Sequence, residues 1–182
     1  MEGARRRDGV SWVMILTIAA AVLALDQATK AWVLATLPGA PPVTVIPGFF
    51  NLTFSRNTGG VFGLLAGAPS FGRRAFFVGS TAVALGVIVV FLRRWGRESR
   101  LLTVALSLVA GGAVGNLVDR LRFGSVVDFI DWHWRSYHWY TFNIADSAIS
   151  TGAVLLIVHS LLPQSSPAGT DRPAPPSPGP EA

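Results

Sequence analysis

AFFVGSTAVALGVIVVFL, the run from Ala75 to Leu92, passes 18 residues without a charged side chain. At 1.5 Å rise per residue it makes a helix of about 27 Å, close to the ~30 Å apolar thickness of a bilayer. A helix apolar on every face has to be surrounded by lipid or by other helices. Working outward, three further runs have this character. The first extends from Trp12 to about Leu37, apolar through Leu25 and then interrupted by Asp26, Gln27, Thr29 and Lys30. Another, Leu101 to Val118, carries Gly111, Gly112 and Gly115, small residues that let helix backbones approach closely in a membrane. The last, Phe142 to Leu162, contains Asp146 and His159. The reading is an all-α membrane protein of four transmembrane helices, over about 12–37, 75–92, 101–118 and 142–162.

Composition agrees. Of 182 residues, 51% are hydrophobic and only 14% charged, where a soluble domain has about 25% charged. The mean hydropathy is +0.47, which excludes an ordinary soluble globular chain. There are no cysteines, so thiol nucleophiles, disulfides, iron–sulfur clusters and Cys-type zinc sites fall away. A net charge of +5 would suggest nucleic acid in a soluble protein. Here the arginines flank apolar runs, as topology signals and contacts to anionic membrane lipids do, and no nucleic-acid partner is expected.

Arg5, Arg6 and Arg7 before an alanine-rich run also look like a signal peptide. Cleavage is not expected, because the apolar run continues into a polar cluster and three later spans need a first helix to pack on. Four spans put both termini on one side. Arg93, Arg94, Arg97 and Arg100 crowd one short loop, whereas the arginines of the other face scatter over long loops; both termini, including residues 1–11, are therefore expected in the cytoplasm. Outside, Val43 to Ile46 and Phe49 to Phe54 alternate with period two and read as short strands of a small extramembrane sheet. Gly63 to Gly72 reads as an interfacial segment. The loop from Asp119 to Thr141 holds Trp132, Trp134, Tyr137, Trp139 and Tyr140, an aromatic belt for the headgroup level. Residues 163–182, with 7 prolines, read as a disordered, dispensable tail.

Carboxylates inside a membrane are costly and mark functional sites. Asp26, Asp119, Asp128 and Asp146 all fall near the outer face. Asp26 and Lys30 have the i,i+4 spacing of a helical ion pair, which favours a structural role. Gly112, Asn116 and Asp119 share one helix face beside Arg120; a polar packing seam and a site role both fit. Asp119, next to Arg120, should stay ionised and act structurally. Asn57, in Arg56-Asn57-Thr58-Gly59, reads by itself as a turn residue. Asp128, within Val126-Val127-Asp128-Phe129-Ile130, and Asp146, opening the fourth span, sit in apolar settings without a local cation. Two such carboxylates brought together share a proton, the arrangement in which one activates water and the other protonates a scissile carbonyl. Other chemistries fit less well: His133, His138 and His159 lack zinc-ligand spacing, leaving no metal site expected, and no serine elbow is present. His133 and His138 read as interfacial loop residues. A small proton-coupled transporter or helper subunit, with the carboxylates as a relay, is the alternative, although no internal repeat supports it.

The motifs Asp26-Gln27-Ala28-Thr29-Lys30, Asn57-Thr58-Gly59, Gly111 to Arg120, Gly124-Ser125-Val126-Val127-Asp128-Phe129 and Phe142-Asn143-Ile144-Ala145-Asp146-Ser147, in this order over about residues 12–162, together resemble the bacterial lipoprotein signal peptidases, the type II signal peptidases. The resemblance implies a membrane peptidase domain over 12–162 with an extracytoplasmic β-sheet cradle. It implies an inner-membrane aspartic endopeptidase, needing no cofactor, that cuts diacylglyceryl-prolipoproteins just before the lipidated cysteine; a monomer is expected. The catalytic pair would be Asp128 and Asp146. Asn57, Gly59, Asn116, Arg120 and Asn143 would hold substrate and the developing oxyanion, with Asp26, Lys30, Gly112, Asp119 and Ala145 as structural support. One departure is Gly60-Val61, where the family often has two alanines after the Asn-x-Gly turn.

Overall fold

The computed structural model describes residues 12–59, 70–95 and 99–162. The N-terminal arginines, Gly60-Val61, most of the expected interfacial segment, Arg97 and the proline-rich tail lie outside them. In chain order the elements are α1 (Trp12–Thr36), β1 (Val43–Ile46), β2 (Phe50–Asn57), α2 (Ser70–Trp95), α3 (Arg100–Phe123), β3 (Val126–Trp134), β4 (Tyr137–His138) and α4 (Ile144–Leu161). All four helices are long and apolar enough to cross a membrane.

Their ends follow local chemistry. α1 stops before Pro38, which has no amide to continue the ladder, and Gly39 turns the chain away with φ 76°. Ser99 caps α3, its hydroxyl accepting the Leu102 amide at 3.2 Å. Gly124 closes that helix in the left-handed conformation, its amide donating to the Arg120 carbonyl at 3.0 Å. α1 and α4 keep within the spans read from hydropathy, whereas α2 and α3 run past theirs. α2 takes in Arg73, Arg74, Arg93 and Arg94, and α3 carries Asp119, Arg120 and Arg122. An apolar window stops at the first charge, but backbone bonding does not, and long basic side chains reach polar surroundings from a helix end.

α3 is the central helix. Half of its apolar window is buried, against 11–17% for the other three. Its glycines make this possible. A Cβ on Gly112 would strike the Ala145 carbonyl and come 2.8 Å from Ile149 of α4, and one on Gly115 would lie 2.6 Å from the Asp26 carboxylate of α1. Away from α3 the helices present apolar side chains outward, among them Leu16, Val83, Val90 and Ile157, as lipid-facing surfaces do.

The strands form one antiparallel sheet in the order β1-β2-β3-β4. The expected strands at 43–46 and 49–54 are present, the second shifted and extended to Asn57. The stretch expected as an aromatic loop is instead β3 and β4, with Trp132, Trp134, Tyr137, Trp139 and Tyr140 still exposed. Val126-Val127-Asp128-Phe129-Ile130 stands out in the sequence for its carboxylate, but its β-branched and aromatic content equally favours a strand. In the β2/β3 pairing Leu52 faces Ile130 and Ser55 faces Asp128, so Thr53 and Phe54 oppose the single residue Phe129. This bulge sits beside Asp128 and bends the ladder there. Val33, Leu37, Val127 and Phe129 form the apolar layer joining sheet to helices.

Candidate active site

Asp128 lies mid-strand in β3 and Asp146 in the first turn of α4, and two backbone links bring those elements together. Ile130 pairs with Phe142 in an isolated bridge, and both Phe129 and Ile130 donate to the Phe142 carbonyl, at 3.0 and 2.8 Å. The next residue, Asn143, is the N-cap of α4. Its Oδ1 accepts the Asp146 amide at 3.0 Å, and the Asp146 carboxylate accepts the Asn143 amide at 3.3 Å, a reciprocal capping box.

The Asn143 side chain then reaches back across the gap. Its Nδ2 donates to Asp128 Oδ1 at 2.7 Å and contacts Asn116 Oδ1 at 3.2 Å and the Val127 carbonyl at 3.3 Å. From α3, Asn116 Nδ2 donates to Asp146 Oδ1 at 2.7 Å. A run of amides, Asn143 and Asn116, thus joins one carboxylate to the other. Asn57, at the end of β2 opposite Val126, is a further hydrogen-bond partner of Asp128, and its own Oδ1 accepts the Gly59 amide at 3.1 Å. Asn57 is thus a turn residue and at the same time a partner of Asp128.

Below this layer Lys30 is 2% exposed. Its Nζ lies 2.9 Å from Asp26, 3.0 Å from Asp119 and 3.0 Å from Asn116 Oδ1. The i,i+4 pair is therefore part of a three-member cluster. The cation that satisfies Asp119 is Lys30, not the adjacent Arg120, because consecutive residues on a helix point about 100° apart. Arg120 instead places its guanidinium 4.5 Å from the Phe77 ring centroid. Asp26 accepts the Ala145 amide at 2.9 Å, and Asp119 accepts the Val127 amide at 3.0 Å. Gln27, assigned no role from sequence, donates to Asp26, Asp119 and the Gly115 carbonyl at 3.1 to 3.3 Å. Its place beside Asp26 in the motif is the available signal.

Asn57, Gly59, Asn116, Arg120, Asp128 and Asp146 line one open cavity of ≈ 890 Å³, bounded on its aromatic side by Trp132, Trp139, Tyr140 and Phe142. Asn143 is fully buried behind that wall. Asp128 is 1% exposed. Burial, and then the charge of Asp146, pushes its carboxyl up to about 6, against the opposing bonds from Asn57 and Asn143 and the field of Lys30. Lys30 is the cation that the local sequence around Asp128 does not contain. A pair of linked carboxylates, one titrating near neutrality and both reached from a partly apolar cavity, can hold a proton and activate a water.

The sequence model of the family described as signal peptidase (SPase) II matches residues 18–162. The chain belongs to this family. Among its relatives, the lipoprotein signal peptidase of Syntrophus aciditrophicus is 45% identical over 152 residues, covering 84% of this chain and 94% of that protein. The lipoprotein signal peptidase of Shewanella loihica is 39% identical over 174 residues, covering 94% and 98%. A bacterial membrane enzyme solved by the in meso method at 1.9 Å resolution superposes with a TM-score of 0.76 at 34% identity, covering 86% of this chain and 98% of that one. A second such structure, at 2.3 Å resolution, gives a TM-score of 0.73 at 34% identity, covering 84% and 90%. Membership in the signal peptidase II family, together with four helices long and apolar enough to cross a membrane, fits a multi-pass inner-membrane peptidase and sets the transporter reading aside.

Proposed function

We propose that this signal peptidase II cuts prolipoproteins by an aspartic mechanism in which Asp128 and Asp146 are the catalytic pair. The observation that carries the reading is the amide-bridged approach of two carboxylates from β3 and α4 at the wall of one cavity. With one proton on the pair, the ionised carboxylate takes a proton from water as its oxygen attacks the scissile carbonyl, while the protonated one donates to the carbonyl oxygen. The tetrahedral intermediate collapses when the C–N bond breaks and a proton passes to the leaving amine. Asp128, titrating at about 6, carries the proton at mildly acidic pH. Water and two carboxylates suffice, and no cofactor enters the step.

Asn57, Gly59, Asn116 and Arg120, which line the cavity, hold substrate backbone and the developing oxyanion. Asn143 acts from behind the wall, orienting Asp128 and capping the helix that presents Asp146. Asp26, Lys30 and Asp119 are structural, as are the close contacts of Gly112 with Ala145. The substrate is a diacylglyceryl-prolipoprotein cut before its lipidated cysteine. Its acyl chains add binding of about 0.8 kcal/mol per buried methylene and hold the scissile bond at the membrane surface. The sheet end of the bundle, with its exposed tryptophans and tyrosines, faces the extracytoplasmic side, both termini are cytoplasmic, and the enzyme works as a monomer.

Cleavage of a purified diacylated prolipoprotein by the detergent-solubilised enzyme tests the proposal. Release of the signal peptide only from the lipidated substrate supports it. Equal cleavage of the unlipidated form, or none of either, refutes it.

A further inference from the structure

We propose that Asp131, His133 and His138 form a binding site for one divalent transition-metal ion, of the class represented by Zn²⁺, on the β3–β4 hairpin and outside the catalytic cavity. Spacing in the sequence hides the site. Asp131 and His133 are two apart on β3 and so project from one face of the strand, and the antiparallel register sets His138 of β4 directly opposite His133. One ligand atom from each of the three lies within 4.8 Å of the others. His138 Nδ1 is 2.9 Å from Asp131 Oδ1, and His133 Nδ1 is 3.9 Å from Asp131 Oδ2. In a tetrahedral site with bonds of about 2.0–2.1 Å, neighbouring ligand atoms stand about 3.3 Å apart, so the two distances to Asp131 bracket that value and the remaining adjustment falls on the His138 ring.

The surroundings fit a ligand set better than a simple hydrogen-bonded pair. The His133 and Asp131 side chains are only 8% and 9% exposed, yet His133 Nδ1 is buried with no hydrogen-bond partner among the described residues. A buried imidazole nitrogen facing a carboxylate without bonding to it is accounted for by an ion between them. Asn51, opposite Asp131 in the sheet, donates to Asp131 Oδ2 at 3.3 Å and orients the carboxylate as groups behind metal ligands do. His138 is half exposed, so the open side leaves room for a water as fourth ligand. The two imidazoles are stacked, 4.9 Å between centroids and 17° between planes. Loading therefore turns His138, the more exposed of the two, until its Nδ1 lone pair converges with the other ligands.

The ion would fasten β4, a strand of two residues, to β3. The following residue, Trp139, donates its amide to the Trp132 carbonyl at 2.8 Å, and both residues line the cavity. The bound metal thus stiffens the aromatic edge of the substrate site without touching the reacting groups.

The test is a Zn²⁺ titration of the full-length enzyme, purified through a tag without histidine and stripped with chelator, against a competing chromophoric chelator. Hydrogen exchange of the hairpin amides is followed in parallel. One ion per chain is expected, with affinity weakened about tenfold or more in His138→Gln and Asp131→Asn, unchanged in His159→Gln, and with slower exchange over residues 133–139 on loading. His138→Gln alters a half-exposed side chain and leaves the fold to report on binding even if Asp131→Asn accumulates poorly. Binding of wild-type strength in His138→Gln, a stoichiometry far below one, or no effect of Zn²⁺ on hairpin exchange overturns the proposal.

Discussion

Asp119 accepts the Val127 backbone amide at 3.0 Å, one residue before Asp128. Asp26 does the same for the amide of Ala145 at 2.9 Å, one residue before Asp146. Lys30 bridges these two carboxylates. A single buried cation therefore fixes the backbone on which each member of the proposed catalytic pair is mounted, and the proposed structural acids, Asp26 and Asp119, act through that backbone.

Exchanging carboxylate for amide should separate those roles. Asp128→Asn and Asp146→Asn keep size and a hydrogen-bond acceptor but remove the proton-transfer group, so turnover should fall by roughly 10²–10⁴-fold or more while insertion and binding of lipidated substrate persist. Asp119→Asn takes a charge from Lys30 and should reduce folded enzyme, with turnover per folded molecule largely kept. Cleavage is measured per folded, membrane-inserted molecule. Normal cleavage by Asp128→Asn beside a well-folded but inactive Asp119→Asn would move the pair to Asp119 and Asp146.

The cluster beneath the site should behave as a unit. Lys30→Met leaves Asp26 and Asp119, at most 1% exposed, without their cation and should cost about 3–5 kcal/mol. In Asp26→Asn/Lys30→Met/Asp119→Asn the carbonyl oxygens still accept the Ala145 and Val127 amides, and no unpaired charge remains. The triple variant should then recover much of the loss. Thermal unfolding in a fixed detergent compares the two; additive losses would contradict a coupled cluster.

Legibility divides along physical lines. The four helices can be read because lipid demands long apolar runs, and Asp128 and Asp146 because an apolar setting makes a carboxylate conspicuous. β3 is hidden because its aromatic residues suit the membrane surface as well as a strand. The Lys30 to Asp119 pairing is hidden because 89 residues separate the two, while Arg120 offers a nearer charge that points elsewhere. Asn143 can be named from its motif, but its burial behind the cavity wall depends on the Ile130 to Phe142 bridge, which has no local signature.

Close helix contact at Gly112 should be intolerant of one methyl group. A Cβ there meets the Ala145 carbonyl and Ile149, so Gly112→Ala should push α4 away from α3 and lengthen the Asn116 to Asp146 hydrogen bond. The expected cost is about 1–3 kcal/mol, with a fall in turnover per folded molecule. Gly86→Ala, whose Cβ would meet nothing among the described residues within 4 Å, is the matched control and should behave as wild type. Equal effects of the two would show that helix contact at Gly112 is not limiting.

Orientation can be read by labelling, since the chain has no cysteine. Ser99, the cap between α2 and α3, and the β3–β4 hairpin lie at opposite ends of the bundle. At the hairpin turn Arg135 holds a left-handed backbone with φ 55°, a conformation that few side chains favour. Tyr137, exposed on the same hairpin, is the better probe position, so Ser99→Cys and Tyr137→Cys form the pair. An impermeant maleimide added to intact spheroplasts should label Tyr137→Cys and reach Ser99→Cys only after lysis. The reverse pattern would invert the proposed topology.

The pH profile follows from the Asp128 carboxyl being raised to about 6 by burial and by Asp146. A group raised in the folded state favours its protonated form there. Its burial therefore costs stability as pH rises from about 4, its unfolded value, to about 6, and the cost is then constant. Asp128→Asn removes that cost and should raise the melting temperature at pH 8 relative to wild type, with little difference at pH 4. Under the proposed mechanism the productive free enzyme holds one proton on the pair, so kcat/KM should fall with unit slope above an apparent value near 6 that belongs to the pair as a whole. The Asn57 hydrogen bond favours ionised Asp128. Asn57→Ala should consequently move this alkaline limb to higher pH even as it lowers the maximal rate. A limb that stays in place or moves down in Asn57→Ala would mean that Asp128 does not set it.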